Sequence, residues 1–259
     1  MSKPRARNRP NSSRRKSSNP PPRATGSWLW GVHAVAAALA NPARHLTRLV
    51  GTKNGLARLP SAPSRAELLA PGEIDALLPR DAVHQGLAAQ FDPLPALALE
   101  DVIGRGTDRI AVLDQVSDPH NLGAIYRSAA AFGFGAIVLQ TRHAPPITGI
   151  VAKAAVGAVE RVSECRVVNI ARTLETLAVA GYHTIGLAAD GDQSIDRAVR
   201  GAGKLAIVLG AEGSGLRPAV AKACAERASI PITAAIESLN VSNAAAIAFY
   251  EASRARSAS

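Results

Sequence analysis

Ile230-Pro231-Ile232, followed after five intervening residues by Ser238-Leu239-Asn240-Val241-Ser242-Asn243-Ala244-Ala245-Ala246, is the stretch around which the chain is organised. An apolar strand end runs into a proline. A small-polar turn carrying Ser238, Asn240 and Ser242 comes next, and then an Ala-rich helical pattern through Phe249 to Arg256. The first turn of such a helix has backbone N–H groups without partners, so the turn offers donors and hydroxyls to a ligand. Taken alone, it reads equally well as a well-capped helix. Two other turns in the same half of the chain add to its meaning.

The first of them is Leu113-Asp114-Gln115-Val116-Ser117-Asp118-Pro119-His120-Asn121-Leu122-Gly123-Ala124-Ile125-Tyr126-Arg127. It follows a strand and opens a helix. Capping chemistry accounts for Asp118 and Pro119 but not for Asn121 together with Arg127, whose guanidinium suits a phosphate or a developing oxyanion. The second is Leu209-Gly210-Ala211-Glu212-Gly213-Ser214-Gly215-Leu216-Arg217-Pro218. Three glycines at a strand end permit positive φ and close approach of a ligand to backbone. The P-loop lysine is missing, and the glycine order G-x-x-G-x-G is not the dinucleotide fingerprint, so a Rossmann dehydrogenase is set aside. Glu212 would repel a phosphate, which points to a cationic or neutral ligand.

Around these turns the periodicity is regular. Apolar runs suited to buried parallel strands occur at 110–113, 136–140, 166–169, 184–188, 205–209 and 228–232, with helical patterns at 121–132, 150–156, 171–180, 217–225 and 241–256. Alternation of this kind predicts an α/β domain over 106–256 with a mainly parallel sheet and ligand sites at the C-terminal strand ends. Upstream, residues 27–95 read as a small α/β domain. Its predicted pieces are an apolar segment, Gly31 and an Ala-rich helix to Leu39, a strand at 46–50, a helix beginning at 65–69, a helical piece at 74–78 and a strand-like run at 83–89. Proline-bearing 92–95 and the following 96–105 read as a linker.

Of the formal net charge of +10, eight positive charges and no negative one fall in residues 1–26, so the rest is close to neutral. This Pro/Ser/Asn-rich basic tail predicts disorder and sequence-independent phosphate neutralisation, with a mere solubilising extension as the plain alternative. Two cysteines, Cys165 and Cys224, without a signal-like apolar start, predict a reducing, cytoplasmic setting without disulfides. No apolar run is long enough to span a bilayer. His33, His84, His120 and His143 lack metal-ligand spacing, so no metal site is expected, and nothing resembles a Ser/His/Asp triad.

The three turns resemble, in order and spacing, the three motifs of the SpoU family of RNA ribose 2′-O-methyltransferases in the SPOUT superfamily. Asn121-x-Gly-x-x-x-Arg127 is similar to the first motif, Leu209-Gly-x-Glu-Gly-x-Gly-Leu216 to the second, and Ile230-Pro through Ser238-Leu-Asn-Val-Ser242 to the third. Trp30-Gly31-x-His33-Ala34-Val35-x-x-x-Leu39 and His84-Gln85-Gly86 resemble the L30e-like domain of large-subunit rRNA guanosine methyltransferases. Ile232 and Asn243 depart from the usual residues of the third motif.

The resemblance implies an L30e-like RNA-binding domain, a SPOUT α/β domain with a C-terminal trefoil knot, a homodimer, S-adenosyl-L-methionine as cofactor and 23S rRNA as partner. It assigns Gly210, Ile230 and Leu239 to cofactor contact, and Asn121, Arg127, Glu212, Ser238 and Asn240 to catalysis. Arginine is a poor base, its pKa lying above about 12. Arg127 is therefore expected to stabilise the emerging alkoxide and hold the adjacent phosphate, with Glu212 orienting it. Two other readings stand beside this one: a tRNA ribose methyltransferase, and a non-catalytic RNA-binding or ribosome-assembly protein. The separate first domain counts against tRNA, and retention of all five polar residues counts against loss of catalysis.

Overall fold

The structure is a computed structural model that describes residues 27–60, 63–233 and 236–257. The basic tail over 1–26, with the expectations attached to it, lies outside the described residues.

The chain builds two sheets. The first uses β1 (Ser27–Trp30), β2 (Leu46–Gly51), β3 (Glu67–Leu68) and β4 (Leu87–Phe91), with α1 (Val32–Ala40), α2 (Lys53–Leu56) and α3 (Pro71–Asp75) between them. Its order is β1-β4-β2-β3, antiparallel except for β2 with β3. Three local expectations are corrected here. Residues 65–69 do not start a helix, because Glu67 and Leu68 pair with Val50 and Gly51, and Leu69 N–H donates to Gly51. The helical piece sits earlier than 74–78, beginning at Pro71, whose fixed φ suits a first helical turn. The strand expected from 83 begins only at Leu87, since Gln85 and Gly86 turn with φ of 56° and 76°.

Beyond Phe91, the expected linker over 96–105 carries α4 (Leu99–Gly104), whose Leu99 and Val102 are buried in the second sheet's core. That helix was masked in the sequence by the two prolines before it. The second sheet contains β5 (Arg109–Leu113), β6 (Ala136–Gln140), β7 (Ser163–Val167), β8 (Tyr182–Leu187), β9 (Gln193–Ser194), β10 (Lys204–Leu209) and β11 (Glu226–Ser229). All pairings are parallel, in the order β7-β6-β5-β10-β8-β11-β9. Every residue of β5 is buried, which explains its unbroken apolar run. The strands expected at 166–169 and 228–232 lie a few residues earlier, the latter ending before Pro231, which has no N–H for a ladder.

Helices α5 (Pro119–Ala131), α6 (Gly149–Ala155), α8 (Ile195–Ala198) and α10 (Val241–Ser257) bury side chains in one core, and α4, α7 (Ile170–Val179) and α9 (Pro218–Ala223) in another. Phe134 and Phe249 meet with ring centroids 4.1 Å apart where α10 lies beside α5. The helix α6 seats directly on α5 at Gly123, where a Cβ would stand 2.5 Å from the Ala154 methyl, so this glycine is required by packing. The first core also runs without a break from Leu29 of β1 and Val35 of α1 to Val151 and Ala155 of α6. Across that junction Arg44 and Asn41 enclose Glu160, and Lys153 Nζ donates to the Val83 carbonyl at 2.8 Å.

Seven parallel strands put all their C-terminal ends on one rim. From β5 the chain runs outward to β6 and β7, then returns to the other side of β5 at β8 and β10. A ligand crevice belongs where the strand order reverses in this way.

Candidate active site

Three loops leave the rim at β5, β10 and β11, and each has a local reason for its shape. After β5, the Asp118 side chain accepts from His120 N–H at 3.0 Å and Pro119 takes the first helical position, so α5 starts immediately. Asn121 is therefore fixed within the first turn, only 8% exposed. After β10 the chain folds into a closed turn in which Ala211 and Gly215 exchange backbone hydrogen bonds of 3.1 and 3.0 Å. Gly213 and Gly215 have φ of 79° and 65°, and a Cβ on Gly210 would fall 2.1 Å from the Gly215 carbonyl carbon. After β11, Asn240 caps α10: its Oδ1 accepts from Ser242 N–H at 2.9 Å and Ser242 Oγ–H at 2.6 Å.

These local decisions bring three distant residues together. Glu212 Oε1 accepts from Asn121 Nδ2 at 2.9 Å and from Asn240 Nδ2 at 2.6 Å, and Asn240 Nδ2 also lies 3.1 Å from Asn121 Oδ1. Among the described residues Glu212 Oε2 has no hydrogen bond, and the side chain is exposed. The result is a polar triangle with one carboxylate oxygen held and the other without a partner among the described residues.

Beside the triangle lies a cavity of about 370 Å³ formed by the ends of β8, β10 and β11 and the start of α10. Gly210, Glu212, Ile230, Ser238 and Leu239 all line it. The charged residues among its described walls are Glu212 and Glu237, with no lysine, arginine or histidine, and much of the rest is backbone and aliphatic side chain. Such a lining suits a cationic ligand with apolar parts and disfavours a pyrophosphate.

Arg127 is not in this cluster. Six residues on from Asn121, it stands roughly 120° around α5 and about 9 Å along it. Its side chain is exposed and has no hydrogen bond or ion pair among the described residues. The expected orienting contact from Glu212 to Arg127 is thus not made within the chain. Ser238, though on the cavity wall, is exposed and likewise makes no hydrogen bond among the described residues. Sequence reading missed Leu187, Ala188 and Ala189, which wall the cavity from the end of β8, and Glu237. The signal for the first three was their place at a strand end on the same rim. Cys165 and Cys224 are free thiols away from this cavity, and burial pushes them up to about 11 and about 12. Among the described residues no group of His, Cys, Asp and Glu could hold a metal ion.

Fold and site together define an α/β protein with a ligand cavity at the C-terminal strand ends of a parallel sheet, next to the point where the strand order reverses, and a fixed carboxylate on its wall. Residues 108–250 match the SpoU rRNA Methylase family, and the chain belongs to that family. It is 36% identical over 243 residues to the 23S rRNA (guanosine-2′-O-)-methyltransferase RlmB of Vibrio cholerae, covering 89% of this chain and 97% of that protein. The protein of the same name from Ralstonia nicotianae is 37% identical over 239 residues, covering 88% and 96%. Among solved structures, the SpoU methyltransferase AviRb from Streptomyces viridochromogenes, in complex with AdoMet, superimposes with a TM-score of 0.76 over 90% of this chain and 91% of that one, at 24% identity.

Proposed function

We propose that this protein transfers a methyl group from S-adenosyl-L-methionine to the ribose 2′-hydroxyl of a guanosine in 23S rRNA. The observation that carries the reading is the Asn121–Glu212–Asn240 triangle beside an acid-lined cavity. It stands in a chain similar over most of its length to proteins named for that reaction. The residues present fit the cofactor, because the cavity walls combine aliphatic surface, exposed backbone and acidic side chains.

S-adenosyl-L-methionine, when bound, supplies an electrophilic methyl on a sulfonium centre. Gly210, Ile230 and Leu239 would hold it, and the glutamates suit its positive charge. Methyl transfer to a hydroxyl needs in-line alignment and loss of the hydroxyl proton, which are tasks for the protein. Asn121 and Asn240 fix Glu212, leaving Oε2 as the acceptor available to a ribose hydroxyl. Ser238 and Asn240 would set the loop and the ribose. Arg127 would hold the emerging alkoxide and the neighbouring phosphate.

Arg127's distance from the triangle supports a homodimer, in which a second copy brings this guanidinium to a ribose. The exposed stripe of α10 with Ile247 and Tyr250, close to α5 through the edge-to-face contact of Tyr250 with Phe132, supports the same assembly. Pocket walls drawn from three separate loops support a trefoil knot over the last of them. The small four-stranded sheet, with its Gly31 and Gln85-Gly86 turns linked by Val32 N–H donating to Gln85 Oε1, supports an L30e-like RNA-binding domain. The free cysteines support a cytoplasmic setting.

The test is to map 2′-O-methylation in rRNA and tRNA from cells with and without the protein. Loss of one guanosine ribose methyl in 23S rRNA is expected. Loss of a tRNA methyl instead would move the substrate, and loss of none would refute the reading.

A further inference from the structure

Asp114 is a carboxylate with no exposed surface, a costly thing to bury without partners. It directly follows the last residue of β5 and plays no part in the polar triangle. Its partners are the two residues that flank the cavity loop. Its backbone N–H donates to the Leu209 carbonyl at 2.8 Å, continuing the β5–β10 ladder to the residue where the loop departs. Its side chain takes the residue where the loop returns: Oδ2 accepts from Arg217 N–H at 3.1 Å, Oδ1 accepts from Arg217 Nε at 2.8 Å, and Nη2 lies 2.5 Å from Oδ1. Arg217 Nη2 also reaches Gln140 Oε1 of β6 at 3.4 Å.

We infer that Asp114 is the positioning residue of the cofactor loop, clamping both ends of 210–216 so that the Gly210–Gly215 backbone forms the cavity wall and Glu212 meets the two asparagines. A seven-residue loop rich in glycine has many accessible conformations, and the closed turn from Ala211 to Gly215 fixes its tip but not its base. Asp114 fixes the base through charge-assisted hydrogen bonds, roughly twice as strong as neutral ones. The pair also ties the rims of β6, β5 and β10 together through Arg217 and Gln140. Asp114 touches neither substrate nor cofactor, so its effect passes through Glu212 and the loop backbone.

The inference rests on the cavity being the S-adenosyl-L-methionine site, and the experiment separates the two. Calorimetric binding of S-adenosyl-L-methionine is measured for the full-length wild type, Asp114→Asn, Arg217→Lys and Glu160→Gln. The last breaks a buried ion pair at the junction of the two sheets, far from the loop. Steady-state methyl transfer to 23S rRNA is measured alongside. Asp114→Asn should weaken cofactor binding by about ten- to hundredfold, the range for a lost hydrogen bond to a charged group. KM for the cofactor should rise with it while KM for RNA stays put. Arg217→Lys, which keeps the charge and loses Nε, should fall between it and wild type, and it carries the test alone should Asp114→Asn not fold. Glu160→Gln should lower Tm without moving cofactor affinity. Folded Asp114→Asn or Arg217→Lys binding like wild type would overturn the inference. So would an affinity loss equal to that of Glu160→Gln, which would mark general destabilisation. A wild type that binds no S-adenosyl-L-methionine would instead overturn the cofactor reading itself.

Discussion

Two glutamates in this molecule are held by nitrogen donors from distant parts of the chain, and they differ in what is left over. Glu160, at the junction of the two sheets, has both oxygens taken by Arg44 and Asn41, and its side chain is 4% exposed. Arg44 there has a side chain 5% exposed, and its Nη1 donates to the Asp92 carbonyl at 3.1 Å. Glu212, on the rim, is exposed and has one oxygen held by two amides and the other unengaged among the described residues. The first arrangement is complete, so its work is cohesion. The second leaves an acceptor unengaged on a residue that lines a cavity, which is what a site for chemistry requires.

The comparison breaks first at the junction. Glu160→Ala leaves the Arg44 guanidinium buried and unpaired, and should destabilise the fold by about 3–5 kcal/mol. Chemical denaturation measures this, with turnover per folded molecule preserved at permissive temperature. Glu212→Gln should do the reverse. Being exposed, it should leave stability within about 0.5 kcal/mol, yet reduce kcat on 23S rRNA by about 10²- to 10³-fold, the scale for losing one preorganised polar group. If Glu160→Ala abolished chemistry and Glu212→Gln only melted the fold, the contrast would be inverted.

Arg127→Lys comes next. A point charge replaces a fork that can grip phosphate and alkoxide together, so most of kcat should vanish while binding of S-adenosyl-L-methionine persists by calorimetry. Near-normal turnover would remove Arg127 from the catalytic set. Asn240→Asp sharpens the picture further. Aspartate caps a helix as well as asparagine, so α10 should stay intact by circular dichroism, but a carboxylate now opposes Glu212 Oε1 and kcat/KM should drop by about tenfold or more. Smallest is the effect of thiol reagents. Because burial raises both cysteine pKa values to about 11 and about 12, the thiols stay protonated and poorly nucleophilic at pH 8. Native protein should then react far more slowly with a disulfide reagent than denatured protein does.

The sequence made the parallel strands legible because buried strands are written as unbroken apolar runs, and 110–113, 136–140 and 205–209 fall within β5, β6 and β10. Elements whose existence depends on a partner were not legible. The two-residue strands Glu67–Leu68 and Gln193–Ser194 form only because a neighbour is there to pair with, and the short helix Ile195–Ala198 has too few residues for a period. At the site, the three motifs could be read from turn chemistry, and the spacing held Asn121, Glu212 and Asn240 in view. Which polar atoms meet could not be read, since Asn121 bonds a residue 91 positions away and Asp114 one 103 away. Arg127 shows the converse: it lies six residues from Asn121, but helix geometry turns the two side chains apart.

The central claim is that a ribose hydroxyl is methylated beside Glu212. Unmodified 23S rRNA incubated with the protein and radiolabelled S-adenosyl-L-methionine, then hydrolysed in alkali, tests it directly. The account predicts label in one alkali-resistant dinucleotide carrying a 2′-O-methylguanosine, absent when Glu212→Gln replaces the wild type. Label on a base, or undiminished ribose labelling by Glu212→Gln, would contradict it.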